Sequence, residues 1–343
     1  MAKIRDVMGS SHPHQPAWAD HIPGPRDPLP RQVEEWLEWL AVQRNRPATT
    51  VRAYRQDIAK FVTFLDVRGP DILEGVDRAL LRSYQVELAS VLPNPRTRAR
   101  ALVTLRSFLN FAFDEGWTAS LLSRQVTIPK FTMTEVHPVP TEDVPRLLEE
   151  LPSGNLRDLR DRALIAFLLS TGCRISEACA LNRADFRGSQ LRVLGKGGKY
   201  RTVYCTVGAL TMVNDYLRAR GPDPSPALFI SVARKDMYHG KAKPGNRIST
   251  DGCRRVFTAL RARMSTDPES FRLWSALTHP HVTRHTAATT LLEATDGDLR
   301  VVQEVLGHAT LETLKVYTEI TDRHKRDAYV RLSEFLAEVA TRV

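Results

Sequence analysis

Between Leu29 and Trp117 apolar side chains recur at steps of three and four residues, a period that belongs to the helix and not to the strand. Val33, Trp36, Leu37 and Leu40 make one stripe. Tyr54, Ile58, Phe61, Val62 and Leu65 make a second, after Pro47-Ala48-Thr49-Thr50, where a threonine hydroxyl is placed to cap a helix. Leu80, Leu81, Tyr84 and Leu88 make a third, and Leu102, Leu105, Phe108, Leu109 and Phe113 a fourth. Each stripe is the apolar face of an otherwise polar helix. Four such faces are buried by turning them on one another, so residues 29–117 are expected to form a small helical bundle.

Beyond Trp117 the pattern changes. Residues 118–140 carry Pro129, Pro138 and Pro140 with little periodicity, as a linker does. Thr141-Glu142-Asp143-Val144-Pro145 reads as a helix start with its acids at the positive end of the helix dipole. Arg162 to Ser170 reads as an apolar helix ending at Thr171-Gly172. Leu191-Arg192-Val193-Leu194 and Arg201-Thr202-Val203-Tyr204 alternate around Gly195-Lys196-Gly197-Gly198-Lys199, the pattern of a β-hairpin with a glycine-rich turn. Helical patterns return from Asp251 and close with a stripe of Tyr329, Leu332, Phe335, Leu336 and Val339. The expected fold class is mainly α with a small β-sheet, in two domains at residues 29–117 and 141–343, the second ending in a tail helix. Residues 1–28, polar and rich in proline and histidine, are expected to be a flexible arm.

With 343 residues the chain has room for two domains with separate cores. Its 42% hydrophobic and 26% charged residues place it with globular rather than disordered chains. No apolar run approaches the roughly 20 residues that span a bilayer, and the opening segment lacks the apolar centre of a secretory signal. The expectation is a cytoplasmic protein with no membrane partner. Cys173, Cys179, Cys205 and Cys253 lack C-x-x-C spacing and sit in apolar segments, which suits buried reduced thiols. A formal charge of +10 points toward a polyanion. Arg96, Arg98, Arg100 and Arg106 on the fourth helix, and Arg52 and Arg55 beside Lys60 on the second, are candidates to bind DNA phosphates; a solvated basic face is the other reading of the same residues.

Four segments of the second domain carry chemistry: Ser170-Thr171-Gly172-Cys173-Arg174-Ile175-Ser176-Glu177, Gly195-Lys196-Gly197-Gly198-Lys199, His281-Val282-Thr283-Arg284-His285, and Leu306-Gly307-His308 followed by Tyr317. Through T-G-x-R-I-S-E, G-K-G-x-K-x-R, H-x-x-R-H and L-G-H-x8-Y in this order, the chain resembles the tyrosine recombinase (phage integrase) family, most closely its Xer-like bacterial branch, from about Leu29 to the C-terminus. The first domain looks like that family's core-binding, SAM-like domain. The resemblance implies a catalytic set of Arg174, Lys196, His281, Arg284, His308 and Tyr317. It also implies a site-specific recombinase that cleaves and rejoins DNA through a 3′-phosphotyrosyl link, in integration, excision or resolution.

The residue types suit that chemistry. Phosphoryl transfer asks mainly for positioning and charge, and the guanidinium groups of Arg174 and Arg284 are flat, permanently charged, two-pronged donors to a scissile phosphate. A phenol with pKa near 10 costs about 4 kcal/mol to ionise at pH 7, so Tyr317, the nucleophile that the resemblance implies, needs positive charge and a proton acceptor. His281 is the better acceptor, with His308 a donor to a phosphate oxygen, or the two share these roles. The leaving 5′-oxygen needs a general acid, a role that falls to Lys196 through the family pattern, while Lys199 and Arg201 are read as phosphate clamps. Glu177 either fixes Arg174 or packs beside it.

His281 and His285 form an H-x3-H pair, with Cys253 and His279 as candidate further ligands, but no second close pair exists and Arg284 between them repels a cation. No metal and no cofactor are expected, and the absence of a G-x-x-x-x-G-K-[ST] loop agrees with a reaction that needs no ATP. The expected partners are double-stranded DNA and further protomers, as a homo-tetramer or a hetero-tetramer with a related recombinase. The tail helix is expected to dock either on a neighbour or on its own domain. Thr283 stands where the family often has leucine, and Tyr204 where it usually has proline, which leans away from a housekeeping chromosome-dimer resolvase. The alternatives are a type IB topoisomerase-like relaxing enzyme and a non-catalytic DNA-binding relative.

Overall fold

The computed structural model describes residues 16–25, 27–68, 73–131, 137–195, 198, 200–232, 245–264, 267–307 and 329–330. Lys196, Lys199, His308, Tyr317 and the stripe residues Leu332, Phe335, Leu336 and Val339 lie outside the described residues. The chain divides into two compact units, Met1–Met133 and Thr134–Val343.

In the first unit four helices follow one another: α1 (Arg31–Val42), α2 (Ala48–Arg68), α3 (Arg78–Val91) and α4 (Pro95–Asp114). The four stripes meet as their period requires: Trp36, Phe61, Tyr84 and Phe108 are among the largest fully buried side chains. Asp77 caps α3 by accepting the amide of Leu80 at 2.8 Å, and Asn94 caps α4, with Pro95 in its first turn where no amide is missed. At α2 the expected threonine cap is corrected. The helix begins at Ala48, and the Pro47 carbonyl takes the amides of Thr50 and Val51 at 2.8 and 3.1 Å, so both threonines lie inside the first turn. Phe113 is left 40% exposed because Phe111 and Ala112 take the buried face at the end of α4.

The arm expected at residues 1–28 is also corrected in part. Ala17–His21 forms a 3-10 turn whose Trp18 is buried against Phe64 and Tyr84, with its indole N–H donating to Glu87 at 2.9 Å. An indole that buries its rings and still satisfies its N–H holds this segment to the bundle.

The second unit runs α5 (Val144–Glu149), α6 (Leu156–Thr171), α7 (Ile175–Ala180), β1 (Gln190–Leu194), β2 (Tyr200–Tyr204), α8 (Val207–Arg220), α9 (Thr250–Met264), α10 (Pro268–Ala276), α11 (Pro280–Ala294) and α12 (Leu299–Leu306). Asn155 starts α6 by accepting the Asp158 amide at 3.0 Å. From Ala163 to Leu169 every residue of α6 is buried, which explains an apolar run with little sidedness, and α8 and α11 pack on it. The strands pair antiparallel with Leu191 opposite Val203 and Val193 opposite Arg201. Leu191, Val193 and Val203 are buried while Leu194, Tyr200 and Tyr204 are exposed, the alternation expected of a hairpin lying on a core. The fold is mainly α with a small β-sheet. All four cysteines are free and buried, and burial pushes the thiols of Cys173 and Cys205 up to about 11. Among the described residues no helix is long and apolar enough to cross a membrane.

Candidate phosphate site

The site is assembled where α6, α7, β2, α11 and α12 supply their ends or inner faces. Helix α6 stops at Gly172, whose φ of 60° is left-handed. A Cβ there would come within 2.5 Å of the Leu306 side chain, so this glycine both turns the chain and lets α12 approach. The turn delivers Arg174 to the N-terminus of α7. Glu177, in the first turn, reaches back to accept the Arg174 amide at 2.8 Å and its Nη1 at 3.0 Å. One carboxylate thus starts the helix and holds the side chain that leaves it.

Two more guanidinium groups enter from distant sequence. Arg201 on β2 lays its Nη1 and Nη2 on the two oxygens of Glu177, both at 2.8 Å, and its Nε donates to the carbonyl of Val305 at 3.0 Å. Arg284 on α11 donates Nη1 to the Gly172 carbonyl and Nη2 to the Leu306 carbonyl, each at 2.6 Å. Those carbonyls lie at the ends of α6 and α12, the negative poles of the two helices, where a cation is favoured.

Among the described residues the charges of the site do not balance. Burial, then the nearby positive charges of Arg174 and Arg201, push the Arg284 guanidinium down to about 10, with Glu177 opposing. Burial alone would raise the Glu177 carboxyl, but hydrogen bonds from Arg201 and Arg174 outweigh it and hold it below its ordinary value. His281, in the first turn of α11, is shifted downward by burial and then by His279, Arg284, Arg254 and Arg174. It is therefore a neutral imidazole at neutral pH, near Arg284 and Arg174. His279 caps α11 by accepting the His281 amide at 3.2 Å. Among the described residues no group of three or more His, Cys, Asp and Glu side chains is placed to hold a metal ion.

Of the residues expected from sequence, Arg174, Arg201, His281 and Arg284 fall in this one neighbourhood, while Lys196, Lys199, His308 and Tyr317 lie outside the described residues. In the first unit the basic candidates separate into two groups. Arg52, Arg96 and Arg106 are exposed, with no ion pair to another described residue. Arg55 pairs with Glu34 and donates to the Asp27 carbonyl, Arg98 donates to the Leu92 carbonyl at 2.9 Å, and Arg100 meets the buried Asp57 at 2.9 Å. The shared role of Glu177 is more than the sequence reading assigned it. Its legible signal is the placement of an acid in the first turn after Arg174. The inward course of Arg201 was also legible, since residues two apart on a strand share a face and Val203 is apolar.

Comparison with known proteins gives the family of the chain. The model of the phage integrase family matches residues 139–324, more than half of the chain, and that of the phage integrase N-terminal SAM-like domain matches residues 33–116. The tyrosine recombinase XerC of Rhodospirillum centenum is 34% identical over 309 residues, 87% of this chain and 85% of that protein.

The chain belongs to the phage integrase family. Like the Xer proteins it matches, this integrase-family chain is a tyrosine site-specific recombinase. Arg174, Lys196, His281, Arg284, His308 and Tyr317 all fall inside the matched integrase span. The fold agrees as well. XerH bound to its palindromic difH substrate superposes with a TM-score of 0.61 at 19% identity, covering 87% of this chain and 84% of that one. A lambda integrase tetramer bound to a Holliday junction superposes with a TM-score of 0.57 at 17% identity, covering 88% and 83%.

Proposed function

We propose that this integrase-family chain binds double-stranded DNA and cleaves one strand by attack of the Tyr317 phenol on a backbone phosphorus held between Arg174 and Arg284. The observation that carries the reading is the surplus of positive charge that the described residues hold, half-buried, at this site. Arg284 is held between the Gly172 and Leu306 carbonyls, and burial first, then the neighbouring charges of Arg174 and Arg201, push it down to about 10; a phosphate between Arg174 and Arg284 relieves both costs.

The step balances without ATP or a metal. The phenolic proton passes to neutral His281, with His308 donating to a phosphate oxygen; the phosphorus gains the Tyr317 oxygen and loses the 5′-oxygen, which takes a proton from Lys196. The phosphotyrosyl bond keeps the energy of the broken diester, so a 5′-hydroxyl reverses the step, and one from another duplex makes the reversal a strand exchange. Strand exchange needs paired sites, and the tetrameric assembly of the lambda integrase neighbour supports a tetramer here, of this chain alone or with a related recombinase. The exposed Arg52, Arg96 and Arg106 are assigned to duplex phosphates.

The test is covalent trapping on nicked duplexes tiled across the DNA that flanks the chain's own coding sequence. The parent protein is expected to yield a protein–DNA adduct whose linked peptide contains Tyr317, and Tyr317→Phe none. An adduct of equal yield from Tyr317→Phe contradicts the nucleophile assignment. DNA binding with no adduct from the parent contradicts the reaction and leaves a DNA-binding relative.

A further inference from the structure

Arg201 differs from the other guanidiniums of the site in where its nitrogens go. It lies on the inward face of β2 with Val203, and its side chain is only 11% exposed, against 29% for Arg174. Nη1 and Nη2 each hold one oxygen of Glu177, and Nε holds the Val305 carbonyl, so all three nitrogens already have an oxygen of the protein. The next carbonyl, that of Leu306, is held by Arg284. The last two carbonyls of α12 therefore face two arginines, one from β2 and one from α11. Carbonyls at a helix end have no amide ahead of them and lie at the negative pole of the helix, and a guanidinium satisfies both conditions.

Gly307 gives a second, separate observation. Its φ is +67°, and a Cβ there would come 2.8 Å from the Arg201 Cδ and 3.3 Å from its Nε. The glycine of Leu306-Gly307-His308 is what leaves room for Arg201 to pass to Val305.

We infer that Arg201 is a positioning residue: one guanidinium sets the Glu177–Arg174 pair and the end of α12 together, and so acts on the reaction through them rather than by clamping a DNA phosphate. The inference rests on the reading of Arg174 and Arg284 as the phosphate site. It replaces the phosphate-clamp role expected for Arg201 from its place beside a basic glycine-rich turn. A clamp turns its donors toward DNA; this side chain turns them toward a carboxylate and a helix end. Lysine carries the same charge but cannot make the two-pronged contact and the third bond at once.

The test uses the full-length chain as Arg201→Gln and Arg201→Lys, with two probes. A short duplex of mixed sequence measures affinity and its salt dependence. The nicked duplex recovered by trapping with the parent measures the rate of adduct formation at saturating DNA. Both variants are expected to melt cooperatively, to bind the mixed duplex with the parent's salt slope, and to form adduct about 100-fold more slowly, the cost of a small misplacement at the reacting centre. Placed in a Glu177→Gln background, Arg201→Gln is expected to cost much less than it does alone, because the carboxylate through which it acts is already changed. A salt slope reduced by about 0.9, one phosphate contact, with the rate restored by lysine, overturns the assignment in favour of a clamp. An undiminished rate in Arg201→Gln overturns it as well, as does loss of cooperative melting in Arg201→Lys, which would make Arg201 a general prop of the unit. No adduct from the parent on any probe instead overturns the site reading, and this inference with it.

Discussion

Asp57 in the helical bundle and Glu177 in the second unit are both carboxylates shut away from solvent, with side chains 0% and 4% exposed, and both are met by arginine. Their surroundings differ in stoichiometry and in what lies behind the cations. Asp57 takes Arg100 from α4 and Lys60 from its own helix, and Arg100 remains 54% exposed, so water shares its charge. The result ties α2 to α4. Glu177 takes Arg174 and Arg201, while Arg284 stands close by on backbone carbonyls with no ion pair to a carboxylate among the described residues. One pair closes a helix packing; the other leaves positive charge unmatched where it is costly to bury. Charge held in that state is charge prepared for an anion.

Four substitutions sharpen or break the contrast. The largest effect is expected at Arg284. Arg284→Gln removes the guanidinium whose charge is unmatched, and should slow adduct formation on the nicked duplex by about a thousandfold, the upper range for losing one preorganised donor to a developing charge. Glu177→Gln comes next. It leaves two arginines without their carboxylate and should destabilise the second unit by about 3 kcal/mol in denaturant titration. The pH dependence follows from the lowered carboxyl. Its stabilisation is present above the ordinary value of 4.5 and is lost as pH falls through the lower folded value, so the parent should lose stability below about pH 4.5 more steeply than Glu177→Gln. Asp57→Asn should cost about 2 kcal/mol in the bundle, as expected when a buried hydrogen-bonded partner is weakened. Arg106→Ala, on an exposed arginine, should leave stability unchanged and reduce the slope of log affinity against log salt by about 0.9. An unchanged slope assigns that arginine to the solvated face.

Much of this was legible in the sequence, and the limits are physical. The bundle was readable because a period of 3.6 residues is local, and Trp36, Tyr84 and Phe108 fell on the buried faces the stripes predicted. The ordered motifs named the family because their order survives without knowledge of contacts. Trp18 was not readable: one indole among prolines has no period, and its partners Phe64, Tyr84 and Glu87 lie far along the chain. The link from Arg201 to Glu177 and Val305 joins three elements that only the fold brings together, and no local pattern encodes it. The threonine cap failed for a smaller reason, since the carbonyl of Pro47 starts α2 one residue before any hydroxyl is in place.

The Glu177 cluster is proposed to be arranged for a phosphate and the Asp57 pair for packing. The most direct measurement is the rate of covalent adduct formation at saturating nicked duplex for Glu177→Gln and Asp57→Asn, each at a temperature where the variant is fully folded. A loss of about 100-fold is expected for Glu177→Gln, from misplaced arginines at the reacting centre, and a rate close to the parent for Asp57→Asn. Equal losses in the two variants, or a parent-like rate in Glu177→Gln, would contradict this assignment.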